Sequence, residues 1–245
     1  MKKIFLLLLF SAFIYACAGD ASSVGPATGT GGSTARFTIA NGYLYIVDNR
    51  SLKTYNIQNT ANPIFIKKTS LNTVVETIFP LNNHLLIGTQ NGMYIYNIST
   101  PESPQFVSVY SHVVSCDPVV AEGNYAYVTL RSGTNCNRGI NVLDVIDIKD
   151  LKTPKLINSY AMQSPHGLGV GGNLLFVTEG NNGMKVFDKT NPTALKQINY
   201  FQGFSAVDVI PQDNVLIITG KDGVYQYSYN DQKELKLLSK IAINP

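Results

Sequence analysis

Short apolar runs alternate with turn residues along most of the chain, and the same order recurs. Residues 84–104 read HLLIGTQNGMYIYNISTPESP, in which two apolar runs flank Asn91-Gly92 and a polar stretch with two prolines follows. Apolar runs of this length, bounded by Asn, Gly and Pro, predict short antiparallel strands joined by tight turns. The pattern therefore predicts an all-β fold.

Five apolar segments align with one another, with first residues 41, 41, 49 and 41 positions apart: Tyr43–Val47, His84–Gly88, Tyr125–Thr129, Leu174–Thr178 and Val215–Thr219. A turn pair of Asn, Gly or Asp precedes each segment, and a second turn follows roughly eight residues later, at Arg50-Ser51 in the first repeat. Four strands per unit of this length are typical of a propeller blade. We predict a five-bladed β-propeller over 36–245, with repeats at 32–71, 72–112, 113–162, 163–203 and 204–245. An open or partner-completed array is the alternative.

The first residues predict export rather than a strand or a membrane span. Residues 1–16 contain two lysines followed by a short apolar run, as in a secretory signal peptide. The sequence Ile14-Tyr15-Ala16-Cys17 resembles a bacterial lipobox, which implies lipidation of Cys17. Cleavage nearby by a general signal peptidase is the alternative. Residues 17–35 are rich in Gly, Ser and Thr and are predicted to form a flexible tether.

The repeats resemble LVIVD repeats, which occur in exported bacterial β-propeller proteins. The residues that carry the resemblance are Tyr45-Ile-Val-Asp48, Val142-Leu-Asp-Val-Ile-Asp-Ile148 and the link Asn97-Ile-Ser-Thr-Pro-Glu-Ser-Pro104. The last two repeats depart from it, because Leu195 and Leu235 stand at the second proline position. The resemblance implies a fold and an exported location, and it adds almost nothing about chemistry.

Composition and charge exclude several functions. Without residues 1–16 the 19 basic side chains become 17 against 16 acidic ones, a balance of +1, and no basic patch indicates nucleic acid. The sequence has no G-x-S-x-G, Cys-x-x-Cys or His-Glu-x-x-His motif and no tryptophan. The run from His166 to Gly172 contains G-x-G-x-x-G but leads into a strand, not the helix that a dinucleotide site needs.

One mouth of the central channel is predicted to collect ionisable side chains. In a propeller the first strand of each blade lines the channel, so the starts of these strands form a ring. It contains Glu76, Asp117 and His166 at one position of the repeat, and Arg36 and Asp208 one residue further on. Carboxylates and an imidazole suit a divalent cation or acid–base catalysis. Solvated polar groups with no such role are the plainer interpretation. We predict no cofactor, and a divalent cation in the channel is an alternative that no motif supports.

The third repeat carries an insertion of about 131–139 with a cysteine in it. Cys116 and Cys136 are both expected on the mouth side, and an exported protein can oxidise them, so a disulfide between them is predicted. Free thiols or a thiol metal site are the alternatives. The insertion is also a candidate binding loop, through Arg131, Asn135, Asn137 and Arg138.

The predicted disulfide can be tested by intact mass after alkylation without reductant. We expect Cys116 and Cys136 to take up no label, and uptake of a label at each would contradict the bond. The closed loop would stabilise the fold by about 3 kcal/mol at most. Reduction before alkylation is the control, and it should restore both labels.

Together these features predict an envelope-anchored lipoprotein whose propeller is a non-catalytic binding module for a protein or polymer partner. The alternative is a metal-dependent hydrolase or lactonase-like propeller enzyme with its site at the channel mouth. We expect a monomer, attached to the membrane only through its lipid, on the periplasmic face or the outer surface of a bacterial outer membrane. The sequence names neither the partner nor the process.

Overall fold

The computed structural model describes residues 31–111, 118–132, 140–229 and 234–243. These residues form twenty strands in five antiparallel sheets of four, arranged as a five-bladed β-propeller. In every sheet the four strands follow their order in the chain. The predicted all-β fold and its five blades are therefore confirmed. Within the same ranges no helix is long and apolar enough to cross a membrane.

The strands of each blade run from the channel outward. Blade 1 contains β1 (Phe37–Ala40), β2 (Tyr43–Asp48), β3 (Ser51–Asn56) and β4 (Ile64–Ser70). Blade 2 contains β5 (Val75–Leu81), β6 (His84–Thr89), β7 (Gly92–Asn97) and β8 (Gln105–Ser111). Blade 3 contains β9 (Val119–Glu122), β10 (Tyr125–Leu130), β11 (Val142–Asp147) and β12 (Lys155–Ala161). Blade 4 contains β13 (Leu168–Gly171), β14 (Leu174–Thr178), β15 (Met184–Asp188) and β16 (Lys196–Phe201). Blade 5 contains β17 (Asp208–Gln212), β18 (Val215–Gly220), β19 (Gly223–Tyr229) and β20 (Leu235–Ala242).

The turn between the first two strands of a blade needs residues that accept a positive φ. Five turns have them, with angles of 50–77°: Asn41, Gly42, Asn82, Gly123, Gly172 and Asp213. This confirms the turn chemistry read from the sequence. The second turn of blade 1 is one residue earlier than the pair Arg50-Ser51 that the sequence suggested. There Asn49 has a φ of 45° and Asp48 pairs with Ser51, because Asn tolerates the left-handed region better than Arg.

The core is divided among four hydrophobic clusters, each of which joins two successive blades. Blades 1 and 2, 2 and 3, 3 and 4, and 4 and 5 each share one. Fully buried members include Tyr45, Leu86, Tyr127 and Phe176, so several of the tyrosines pack blades together. Among the described residues no fifth cluster joins blades 5 and 1, and Phe37 at the start of β1 remains 59% exposed.

A short N-terminal segment, residues 31–36, closes this gap with polar contacts, and we call it the strap. Ser33 is 1% exposed, and its Oγ accepts a hydrogen bond from the N–H of Leu168, at the start of β13, at 2.7 Å. The carbonyl of Ala35 accepts the N–H of Ile78 on β5 at 2.9 Å. The strap therefore contacts the first strands of two non-adjacent blades, 4 and 2. The last residues assigned to the flexible tether are thus packed against the propeller.

The polar links after each third strand are held by Asx turns. The side-chain oxygen of the last residue of the strand accepts the N–H two positions later in blades 1 to 4, at 2.8–2.9 Å: Asn56, Asn97, Asp147 and Asp188. This hydrogen bond is the physical reason for the Asn or Asp that ends the apolar run in these repeats. Blade 5 has Ser228 and Tyr229 at the end of its third strand and lacks the pattern in the described part.

Candidate functional site

The antiparallel order of each blade places two kinds of segment on one side of the ring, which we call the mouth face. These are the starts of the first strands and the turns between the second and third strands. The opposite side, the far face, carries the turns between first and second strands and the links after the third strands. Of the candidate residues that the structure describes, Arg36, Glu76, Arg131, His166 and Asp208 all belong to mouth-face segments.

Asp208, at the start of β17, is 7% exposed and is engaged by the strap. Its Oδ1 accepts the hydroxyl of Ser33 at 2.9 Å, and its Oδ2 accepts that of Thr34 at 2.6 Å. The N–H of Val209 also donates to Oδ1, at 3.0 Å. Burial raises the pKa of Asp208, although the hydrogen bonds from Thr34 and Ser33 act in the opposite direction. The carboxylate therefore fastens the strap.

His166 is half-buried, and both of its ring nitrogens have partners. Nδ1 lies 2.7 Å from the carbonyl of Ser164, which can only accept, so Nδ1 carries the proton. Nε2 is then the acceptor for Nη1 of Arg131, also at 2.7 Å. Burial lowers the pKa of His166, and the neighbouring Arg131 lowers it further. The neutral imidazole accepts a hydrogen bond from the guanidinium and thereby positions Arg131, which follows β10.

A buried ion pair beside His166 was not found by the sequence analysis. Glu179, which follows β14 directly, has no exposed side-chain surface and lies 2.9 Å from Nζ of Lys185, whose side chain is 9% exposed. Its Oε2 accepts the N–H groups of Gln163 and Ser164 at 3.0 and 3.1 Å. The pair thereby fixes the segment that leads from β12 to His166.

The remaining candidate residues do not form a metal cluster with these groups. Arg36 is exposed and donates from Nη2 to the carbonyl of Val75 at 3.0 Å, while Glu76 is half-buried on β5. Nowhere in the described ranges do three His, Cys, Asp or Glu side chains gather as metal ligands. Other predicted sites lie outside the described residues: Cys17, Cys116, Asp117, Asn135, Cys136, Asn137 and Arg138.

The glycines between His166 and Gly172 have a packing role. A Cβ at Gly167 would lie 2.2 Å from Oδ1 of Asp208, and one at Gly169 would lie 2.4 Å from Cδ of Pro211. Both distances are too short for any side chain, so β13 and β17 can approach each other only because these residues are glycines. The G-x-G-x-x-G run is thus explained by contact between blades 4 and 5.

The fold and the mouth face define a β-propeller of five four-stranded blades. Residues 115–162 match the family model of the LVIVD repeat, so the chain carries this repeat in blade 3 and the residues before it. The comparison with curated proteins gave no match.

Solved structures with this architecture are distant in sequence. A periplasmic gluconolactonase from Pseudomonas aeruginosa is 13% identical, with a TM-score of 0.65 over 82% of this chain and 67% of its own. A protein of unknown function from Desulfotomaculum acetoxidans is 12% identical, with a TM-score of 0.71 over 85% and 70%. Apo AztD from Citrobacter koseri is 12% identical, with a TM-score of 0.61 over 83% and 60%. At these identities the likeness shows the propeller fold alone, and this chain spans 60–70% of their lengths.

Proposed function

We propose that the protein is a non-catalytic binding module that presents its mouth-face loops to a protein or polymer partner. The observation that carries the proposal is the strap. Its hydroxyls donate hydrogen bonds to the carboxylate of Asp208, a group that an acid–base or metal site at the mouth would need free. Arg131 engages the imidazole of His166 in the same way. The recognition surface is then formed by the loops around the channel.

The sequence before the strap supports attachment to the bacterial envelope through Cys17. In this proposal residues 17–30 hold the propeller away from the membrane, either in the periplasm or at the cell surface. Protease treatment of intact cells distinguishes the two locations. Release of the propeller from intact cells places it outside, whereas protection until lysis places it in the periplasm. A known periplasmic protein serves as the control.

Site-specific photocrosslinking in living cells tests the mouth face as the binding surface. A photoreactive phenylalanine replaces Asn181 or Lys221, which are exposed in mouth-face turns, or Asn124 or Gln212, which are exposed on the far face. We expect discrete adducts of higher mass from the mouth positions only. Equal adducts from both faces, or none from the mouth, would contradict the proposal.

A lactonase-like enzyme is the second candidate, and the gluconolactonase from Pseudomonas aeruginosa is the observation that raises it. It predicts hydrolysis of D-glucono-1,5-lactone by the purified protein. For this candidate to hold, the rate must fall in a Glu76→Gln variant and remain in a Gln212→Ala variant, which changes an exposed residue at the far end of β17. A rate of hydrolysis equal to that in buffer alone would rule out the lactonase-like enzyme.

A further inference from the structure

A cavity of about 340 Å³ opens on the far face between blades 4 and 5, away from every group discussed at the mouth. Its walls are the rings and aliphatic side chains of Phe176, Leu174, Leu216 and Tyr229. The rim is formed by the two turns between first and second strands, with Asn173, Asp213 and Asn214. Cavities of about 300–1,000 Å³ with apolar walls and a few polar groups are the usual small-molecule sites.

At the equivalent place between other pairs of blades, side chains fill the space or join the two blades across it. At one backbone position in every blade, an N–H donates to the carbonyl of the turn between the first two strands. This position is occupied by Ile57, Ile98, Ile148, Lys189 and Tyr229 in blades 1 to 5. In blade 4 Lys189 forms an ion pair with Glu122 of blade 3. Between blades 1 and 2 the turn residues Asn41 and Asn83 are joined by a side-chain hydrogen bond of 3.3 Å.

Blade 5 departs from this arrangement and leaves polar groups without partners. Tyr229 is 8% exposed and its ring meets Phe176 edge-on, with centroids 5.2 Å apart. Its hydroxyl is buried and has no hydrogen-bond partner within the described part of the chain. In the same part, the exposed side chains of Asn173, Asp213 and Asn214 make no hydrogen bond or ion pair. The three rim side chains are therefore available to a ligand, whereas the buried hydroxyl is not.

The chemistry of the lining defines the ligand. Two aromatic rings and two leucines offer an apolar surface for one face of a ring. Two amides and one carboxylate offer both donors and acceptors at the rim. Among the described residues of the lining, Asp213 is the one charged residue and none is basic, which disfavours an anion. We propose that this cavity binds a small, uncharged, polyhydroxylated ring of monosaccharide size.

The test is saturation-transfer NMR on the purified protein with D-glucose, D-galactose and D-mannose at millimolar concentration. An Asn173→Trp variant places a large ring over the cavity without changing the backbone hydrogen bond of this turn. The matched control is Asn124→Trp, at the equivalent turn position of blade 3, where the backbone carbonyl accepts Ile148 in the same way. We expect transfer to at least one hexose in the wild type and in the control, and its loss in Asn173→Trp.

A second variant, Asn214→Ala, tests the rim. We expect the dissociation constant for the hexose to rise about fivefold, because one hydrogen bond to the ligand is lost. The thermal midpoint should stay equal, since the side chain of Asn214 is exposed and makes no hydrogen bond or ion pair in the described part of the chain. Absence of transfer to all three hexoses, or equal transfer in Asn173→Trp and the wild type, would overturn the proposal. Equal affinity in Asn214→Ala would overturn the assignment of the rim amide. Neither result depends on the binding partner proposed for the mouth face.

Discussion

Replacing Glu179 with alanine is expected to lower the free energy of unfolding by about 3–5 kcal/mol. The change leaves the ammonium of Lys185 buried without its carboxylate, and it removes the acceptor for the N–H groups of Gln163 and Ser164. The desolvation cost of that lone charge, rather than the lost attraction, accounts for most of the effect. Urea denaturation followed by tyrosine fluorescence provides the measurement, since the chain has 14 Tyr and no Trp.

Two controls separate burial from the charge itself. Asp48→Ala breaks the exposed pair with Lys53, whose side chains are 56% and 30% exposed, and should cost far less. The double variant Glu179→Ala/Lys185→Met removes the unpaired charge and should recover part of the stability. A loss in Glu179→Ala no larger than that in Asp48→Ala would show that the carboxylate does not hold the segment before β13.

Replacing Asp208 with alanine is expected to cost about 2–3 kcal/mol and to release the strap. The hydroxyls of Ser33 and Thr34 both donate to this carboxylate, and Ser33 is buried. Limited proteolysis should then cleave within 31–36 faster than in the wild type, because a segment that has lost its hydrogen bonds is open to proteases. Gln212→Ala, at the exposed end of the same strand, should leave both readouts unchanged. Equal cleavage in Asp208→Ala and the wild type would contradict the strap's dependence on Asp208.

The pH dependence of stability gives a further check on Asp208. Its pKa in the folded protein is raised above the ordinary 3.8, so the folded state holds this proton more tightly than the unfolded chain. The stabilisation from this group is therefore complete below pH 3.8 and is lost as the pH rises through the folded pKa. The difference in unfolding free energy between wild type and Asp208→Asn should decrease as the pH rises across that window. A constant or increasing difference would contradict a raised pKa.

The fold could be predicted because each repeat contains the residue types that its turns require. Each blade needs a turn that accepts positive φ, and blades 1 to 4 also have an Asn or Asp at the end of the third strand, so both kinds of residue recur at fixed spacing. The turn of blade 1 was misplaced by one residue because Arg50-Ser51 matched the expected position. Asn49 satisfied the backbone requirement better.

The hydrogen-bond partners of the mouth-face residues could not be predicted in the same way. Spacing placed Asp208 and His166 at the start of first strands, but their partners come from the strap and from the turn of another blade. Glu179 and Lys185 are charged residues, which a pattern of apolar positions assigns to the surface. Only the assembled sheets show that they neutralise each other in the interior. Pairs of opposite charge within one hairpin are the signal that could have found them.

The contact between Ser33 and Asp208 joins residues that are 175 positions apart. A chain that leaves the ribosome from its N-terminus cannot make this contact until blade 5 has emerged. Contacts over such separations carry a large loop-closure cost and usually form late. The growing chain should therefore pass through a stage in which four blades are stacked while the two ends are still apart. Factors that protect nascent chains would meet the protein at that stage, before Ser33 is buried against blades 4 and 5.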